Sequence, residues 1–347
     1  MGIGTSLRTI PTCSLVRRRA ALPRGRFASI RGPALVVLAA IAVAAVHAQQ
    51  KQVAAPVAGY VFDGAALRPI SGVPGGARQG AAIGIGLAAS AAVVSPQLDS
   101  AIVTASDGSL HLFRLSGQSA TEVSWNGAPR GPAKIVYSPS GTAAAIYAAG
   151  RMQTFNGLPA LPELTFSATL SPPPTATYSS TAAELQAMAV SDDAAWLLVA
   201  GAGRVTALSS SGLSTVLLDG TRGVALAFEP GNHAAAILNG AGHSFEVFTD
   251  FMATPTQRIA APGLAQPVGL AFSADGKAAV AAAHDGASTT VFTLASGSAM
   301  PLDCQCAPSG VSRLGDMIRL TEAGSSPVWL VDVGTARIVF VPARANP

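Results

Sequence analysis

Few residues of this chain are equipped for chemistry. Beyond residue 48 the histidines are His111, His233, His243 and His284, one or two to each stretch of about 40 residues. His284 is followed by Asp285 and Gly286. An adjacent imidazole and carboxylate could act as acid and base in a hydrolysis, so His284 and Asp285 are the acid/base candidates. The same residues also form an Asp-Gly hairpin signal, which accounts for them without catalysis. His111 stands on an alternating segment with Asp107 in the turn before it, and His233 follows Gly231-Asn232 in a turn. Both read as partly or fully exposed structural positions. The chain has no Gly-x-Ser-x-Gly elbow, no His-Glu-x-x-His pair and no phosphate-binding loop. Gly84-Ile85-Gly86 lacks a third glycine in register and a following helix, and is read as part of a strand. No catalytic residue is assigned, and no cofactor is expected.

The cysteines carry a second kind of chemistry. Cys13 lies in a basic N-terminal stretch, which leaves Cys304 and Cys306 as a Cys-Gln-Cys pair. In an exported protein an even pair suggests a disulfide, here one that closes the turn before the last repeat. Two cysteines so close in sequence can bridge only in a tight ring, so free thiols or a bond to another chain remain open. No second Cys or His pair lies nearby, and a metal site is not expected.

What must position these groups is a phrase that returns about every 40 residues: an apolar run, a Ser/Pro/Asp/Gly turn, and a second apolar run. Ile135-Val136-Tyr137, then Ser138-Pro139-Ser140-Gly141, precede Ala143 to Tyr147. Leu270-Ala271-Phe272, then Ser273-Ala274-Asp275-Gly276, precede Ala278 to Val280. Weaker copies run from Met188 to Val199 and from Leu226 to Leu238. Third strands follow, as in Leu110 to Leu115, Arg151 to Phe155, Arg204 to Leu208, Ser244 to Phe248 and Thr289 to Leu294. A period of this length with strands and turns inside each unit predicts an all-β fold, a β-propeller. Six units from residue 80, plus an N-terminal pair between Tyr60 and Ile70, suggest seven four-stranded blades, with six as the alternative. The pair is read as the outer part of one blade, packed beside the C-terminal blade. The turn positions Asp99, Ser138, Asp192, Gly231 and Asp275 are 39 to 54 residues apart. The longest interval holds Ser171-Pro172-Pro173-Pro174 and reads as a loop inserted between blades.

Almost half of the residues are apolar, but only 5% are aromatic and 12% charged. The core must therefore be built mainly from Ala, Val, Leu and Ile. Residues 1–48 contain seven Arg, no Lys and no Asp or Glu, and run into an apolar stretch of 13 residues from Ala34 to Val46. With Val46-His47-Ala48 before Gln49, these are the parts of a secretory signal cleaved after Ala48. The stretch is short of the roughly 20 apolar residues that a membrane span requires, and an uncleaved N-terminal anchor is the alternative. The expected organisation is a signal peptide over 1–48, a lead-in over 49–56 and one propeller domain over 57–347, with no membrane span after cleavage. Without residues 1–48 the chain keeps 15 Lys and Arg against 18 Asp and Glu, a net charge of −3. Lys/Arg clusters are lacking, so nucleic acid is not an expected partner.

The Ser-Pro-x-Gly turn at Ser138 to Gly141 and the Ser-x-Asp-Gly turn at Ser273 to Gly276 resemble those of the YVTN family of bacterial β-propellers. The likeness extends, more loosely, to WD40-like and lactonase-like seven-bladed propellers. A third strand followed by Asp, as in Val61-Phe62-Asp63 and Leu330-Val331-Asp332, adds to it. The resemblance implies a seven-bladed ring. The turn residues themselves have a local explanation: Pro presets its backbone angle, Asp or Ser caps the turn, and Gly takes the left-handed position. Asp275 is accordingly read as structural before it is read as a metal ligand. The functional expectation is an exported periplasmic or extracellular propeller that binds or scaffolds a protein or carbohydrate partner in the cell envelope. The alternatives are a lactonase-like hydrolase with its site at the central channel and a sensor for a small ligand.

Overall fold

The apolar runs form strands with both faces buried, so they read as continuous hydrophobic segments rather than alternating ones. In the computed structural model, which describes residues 56–73, 75–169, 185–221, 223–249, 251, 254–284, 288–322 and 327–343, they build seven antiparallel sheets set in a ring. The described part is a seven-bladed β-propeller, and no helix occurs among the described residues.

Blade 1 is β1 (Val57–Phe62), β2 (Leu67–Ser71) and β3 (Arg78–Gln79). Blade 2 is β4 (Ala89–Val94), β5 (Ser100–Ala105), β6 (Leu110–Ser116) and β7 (Ser119–Val123). Blade 3 follows with β8 (Ala133–Tyr137), β9 (Ala144–Ala148), β10 (Arg151–Asn156) and β11 (Glu163–Thr169). Blade 4 holds β12 (Ala187–Val190), β13 (Trp196–Gly201), β14 (Arg204–Ser209) and β15 (Ser214–Asp219). Blade 5 is made of β16 (Val224–Phe228), β17 (Ala235–Asn239), β18 (Ser244–Phe248) and β19 (Gln257–Ala260). Blade 6 contains β20 (Pro267–Phe272), β21 (Ala278–Ala283), β22 (Ser288–Thr293) and β23 (Ser298–Asp303). Blade 7 ends the described chain with β24 (Gly310–Leu314), β25 (Met317–Thr321), β26 (Val328–Asp332) and β27 (Arg337–Val341). In each blade the strands pair in chain order, so every sheet is a meander from the centre outward.

The core is a series of layers between blades. Phe245 of blade 5 stacks on Phe292 of blade 6 with centroids 4.4 Å apart and planes within 11°. Around them lie Ala236, Ala279, Ala281 and Ala283. Small residues are required because neighbouring blades approach closely. A Cβ on Gly269 would lie 2.5 Å from the Val311 nitrogen, and one on Gly240 would lie 2.2 Å from the Ala265 oxygen. This is the physical content of an alanine-rich, aromatic-poor composition.

The ring closes by packing between its first and last blades. Val61 and Ile70 of blade 1 share a buried cluster with Leu314, Val328, Leu330 and Val341 of blade 7, as the expected contact with the C-terminal blade requires. Two details differ from the sequence reading. β1 is the innermost strand of its own sheet, in contact with β4 and β24, so Val61-Phe62-Asp63 is not a third strand and the N-terminal pair is not the outer part of a blade. Asp63 still caps a turn: its Oδ1 accepts from the N–H groups of Ala65 and Ala66 at 3.0 and 2.7 Å. Gly84-Ile85-Gly86 lies outside any strand, in the link from β3 to β4. There Ile83 is buried between blades 1 and 2.

The proposed signal, the lead-in through residue 55, the Pro-rich insertion at 171–174 and Asp285 lie outside the described residues. No helix among the described residues is long and apolar enough to cross a membrane.

Candidate functional site

Each blade's first hairpin folds by local chemistry. Ser138, Ser191 and Ser273 are buried. Their hydroxyl oxygens accept from the N–H groups of Ala143, Trp196 and Ala278 at 3.1, 2.9 and 3.1 Å. The Ser191 and Ser273 hydroxyls donate to Asp193 and Asp275 at 2.6 and 2.7 Å. These hydrogen bonds, with that of the Lys277 N–H, hold the Asp275 carboxyl below its ordinary range. Asp275 thus has the turn-capping role read from the sequence.

Neighbouring hairpins are also joined to one another. Asp192 of blade 4 accepts at Oδ1 from the Ser140 N–H of blade 3 at 2.6 Å. Its Oδ2 accepts from the Gly231 N–H of blade 5 at 2.8 Å. Across the closure, the Gly315 N–H of blade 7 donates to the Pro96 carbonyl of blade 2 at 3.0 Å. The first hairpins therefore share one face of the ring, and blades 2 and 7 meet on that face across the position of blade 1.

Inside this frame lies a central cavity of about 540 Å³. It is lined by β4, β8, β12, β16, β20 and β24 and by the residues at their ends, but not by β1. Most of the residues on the wall are apolar, such as Val94, Ile135, Val268 and Val311. Two charged residues line it, Lys134 and Arg313. Lys134 sits near the start of β8, and its ammonium donates to the carbonyls of Leu185 and Gln186 at 3.0 and 2.7 Å. Arg313, near the end of β24, keeps only 9% of its surface exposed. Its Nε is buried without an acceptor, and no carboxylate among the described residues comes within 4.0 Å of it. Burial pulls its pKa down, against the more distant fields of Asp192 and Asp316. An arginine keeps its charge regardless. Burial of the Tyr137 hydroxyl raises that phenol above its usual range, so it stays neutral.

The sequence candidates fall elsewhere. His284 is exposed and does not line the cavity; its N–H donates to the Gln266 carbonyl at 3.1 Å. His233 sits on the hairpin face, with Nε2 2.9 Å from Asp193 Oδ2. Cys304 and Cys306 are buried between blades 6 and 7. They are drawn together as a bonded pair with Cα atoms 5.1 Å apart.

One constellation escaped the sequence reading. Ser109 Oγ is 2.8 Å from His111 Nε2, and His111 Nδ1 is 2.6 Å from Glu122 Oε1. The order of atoms is that of a hydrolytic triad. The Ser109 hydroxyl, however, lies 2.6 Å from Asp107 Oδ1, an acceptor that competes with the imidazole for its proton. The Ser109 N–H also goes to Asp107, and that of Gly108 to Ala105, which removes the nearest donors for an oxyanion. This cluster ties a turn to two strands.

Lys134 and Arg313 had a signal that was readable but went unused. The innermost strands β1, β4, β8, β12, β16, β20 and β24 contain no other charged residue. A lone cation in such a strand marks a place where charge reaches the channel.

No known protein-family model matches this chain, and no curated protein matches it. Among solved structures it is similar to one described as a functionally unknown protein from Desulfotomaculum acetoxidans, at a TM-score of 0.56 and 13% sequence identity. The match covers 81% of this chain and 94% of the other. At that identity the likeness supports the ring fold alone.

Proposed function

We propose that the chain is an exported propeller that acts as a binding module, holding a protein partner in the cell envelope. The observation that carries this reading is the position of four of the exposed large apolar side chains, which come in pairs, whereas Val73, Met300 and Phe340 stand singly on their blades. Leu161 and Leu164 belong to the outer hairpin of blade 3, and Leu213 and Val216 to that of blade 4. Neighbouring blades thus present apolar groups to solvent on corresponding hairpins, where a solitary ring would favour polar residues. A protein suits aliphatic side chains better than a carbohydrate does, because sugar recognition draws on hydrogen-bonding groups.

Hydrolysis is the weaker reading. The described cavity wall offers no carboxylate or imidazole, and its lysine is held as a hydrogen-bond donor. The general acid and base that lactone opening needs are not found together there. The test is cross-linking and affinity capture of the tagged chain from its native envelope, beside a Leu164→Asp/Leu213→Asp variant. A stoichiometric partner lost in the variant supports the reading; a bare propeller in both captures overturns it.

A further inference from the structure

The channel poses a problem separate from the outer hairpins. Arg313 is nine-tenths buried, its Nε has no acceptor, and its side chain reaches a cavity of about 540 Å³. A guanidinium Nε sealed from water without an acceptor is unfavourable unless something in the cavity engages the rest of the fork. Asp192, which contributes the larger of the two negative fields on Arg313, has both carboxylate oxygens engaged by the backbone of blades 3 and 5. It steadies the arginine from beyond ion-pair distance and leaves the fork of donors open. The cavity volume falls within the range of small-molecule sites, and most residues on its wall are apolar.

We propose that the channel is a receptor for a small organic anion whose carboxylate is held by Arg313. Its apolar body lies against Val94, Ile135, Val268 and Val311. The planar guanidinium matches a carboxylate with two parallel hydrogen bonds. Lys134, on the opposite side of the ring and nearer the starts of the inner strands, places a second positive charge toward the other end. The hairpin face carries Asp99, Asp192, Asp193, Glu229, Asp275 and Asp316 against Lys277, which pairs with Asp275 at 3.5 Å. An anion is therefore drawn in from the end marked by Lys134. This site is independent of the envelope partner, and either can fail without the other.

The test uses the mature chain, titrated calorimetrically with hexanoate, with its neutral counterpart hexanamide, and with inorganic phosphate. Hexanoate is expected to bind, hexanamide to bind far more weakly, and phosphate to bind without the gain from an apolar body. Arg313→Met is expected to weaken hexanoate binding by about 10- to 100-fold, the worth of a charge-assisted pair of hydrogen bonds. Arg313→Lys keeps the charge and should lose less. Equal binding of hexanoate and hexanamide, unchanged affinity in Arg313→Met, or no binding of hexanoate to the native chain overturns the proposal. If the methionine variant does not fold, phenylglyoxal modification of the native chain decides. Hexanoate must then slow modification of Arg313 but not of Arg258, which lies on the outside. Unprotected Arg313 overturns the proposal as surely.

Discussion

Replacing Asp192 should loosen three blades at once. Its carboxylate accepts one backbone N–H from blade 3 at 2.6 Å and one from blade 5 at 2.8 Å, and its own carbonyl accepts from the Thr142 hydroxyl at 2.8 Å. Asp192→Ala leaves the carbonyl contact in place and strips both N–H groups of their acceptor. A hydrogen bond to a charged group contributes about 1.5–3 kcal/mol when buried, and about 1 kcal/mol is a fair share at a half-buried site. The two together give a loss of about 2 kcal/mol, or a fall in Tm of roughly 3–4 °C for a domain of this size. Asp192→Asn keeps one acceptor oxygen and turns an amide donor toward the other N–H, so it should lie between the native chain and alanine. Urea unfolding of the chain measures the loss. Amide hydrogen exchange locates it, since exchange at Ser140 and Gly231 should both quicken in the alanine variant. An alanine variant within about 0.5 kcal/mol of the native chain, the range of neutral surface changes, would refute the inference that these hairpins are latched together.

Gly240→Ala should destabilise by about 1–3 kcal/mol in the same unfolding experiment, because its Cβ would lie 2.2 Å from a backbone oxygen that has no free side chain to give way. Acid should weaken the fold through the turn carboxylates. The Ser273 and Thr335 hydroxyls hold Asp275 and Asp332 below the ordinary value of 3.8, and at Asp193 burial pushes the other way but is outweighed by Ser191, Ala195 and His233. With folded pKa values below unfolded ones, this stability is complete above the ordinary value and is lost as pH falls through the lower folded values. Urea midpoints should thus drop below about pH 4, and Asp193→Asn should flatten that drop. Alkylation of the unfolded chain should label neither Cys304 nor Cys306 until a reductant is added, if the two form their disulfide. N-terminal sequencing of the protein from its own cells should begin at Gln49 if the signal is cleaved where its pattern indicates.

The strands and first hairpins were legible because their determinants are contiguous. In Ser273-Ala274-Asp275-Gly276 the hydroxyl, carboxylate and left-handed glycine act within four residues, and the structure uses each one locally. The period of about 40 residues likewise announced a ring, since no such unit can bury both its faces alone. Blade 1 was harder to place: Val57–Phe62 is as apolar as an inner strand or an outer one, and only its packing between β4 and β24 decides which it is. The channel was harder still. Lys134 and Arg313 are 179 residues apart in the chain; they line one cavity because the ring closes, and sequence spacing carries no trace of that closure. His284-Asp285 looked like chemistry by adjacency, yet His284 faces solvent, because a hairpin tip points away from the centre that its strands enclose. The sequence by itself determined the repeating unit, its turns and the small side chains that let blades pack. The tertiary structure alone decided which charges face the channel, because burial and convergence depend on all seven blades together.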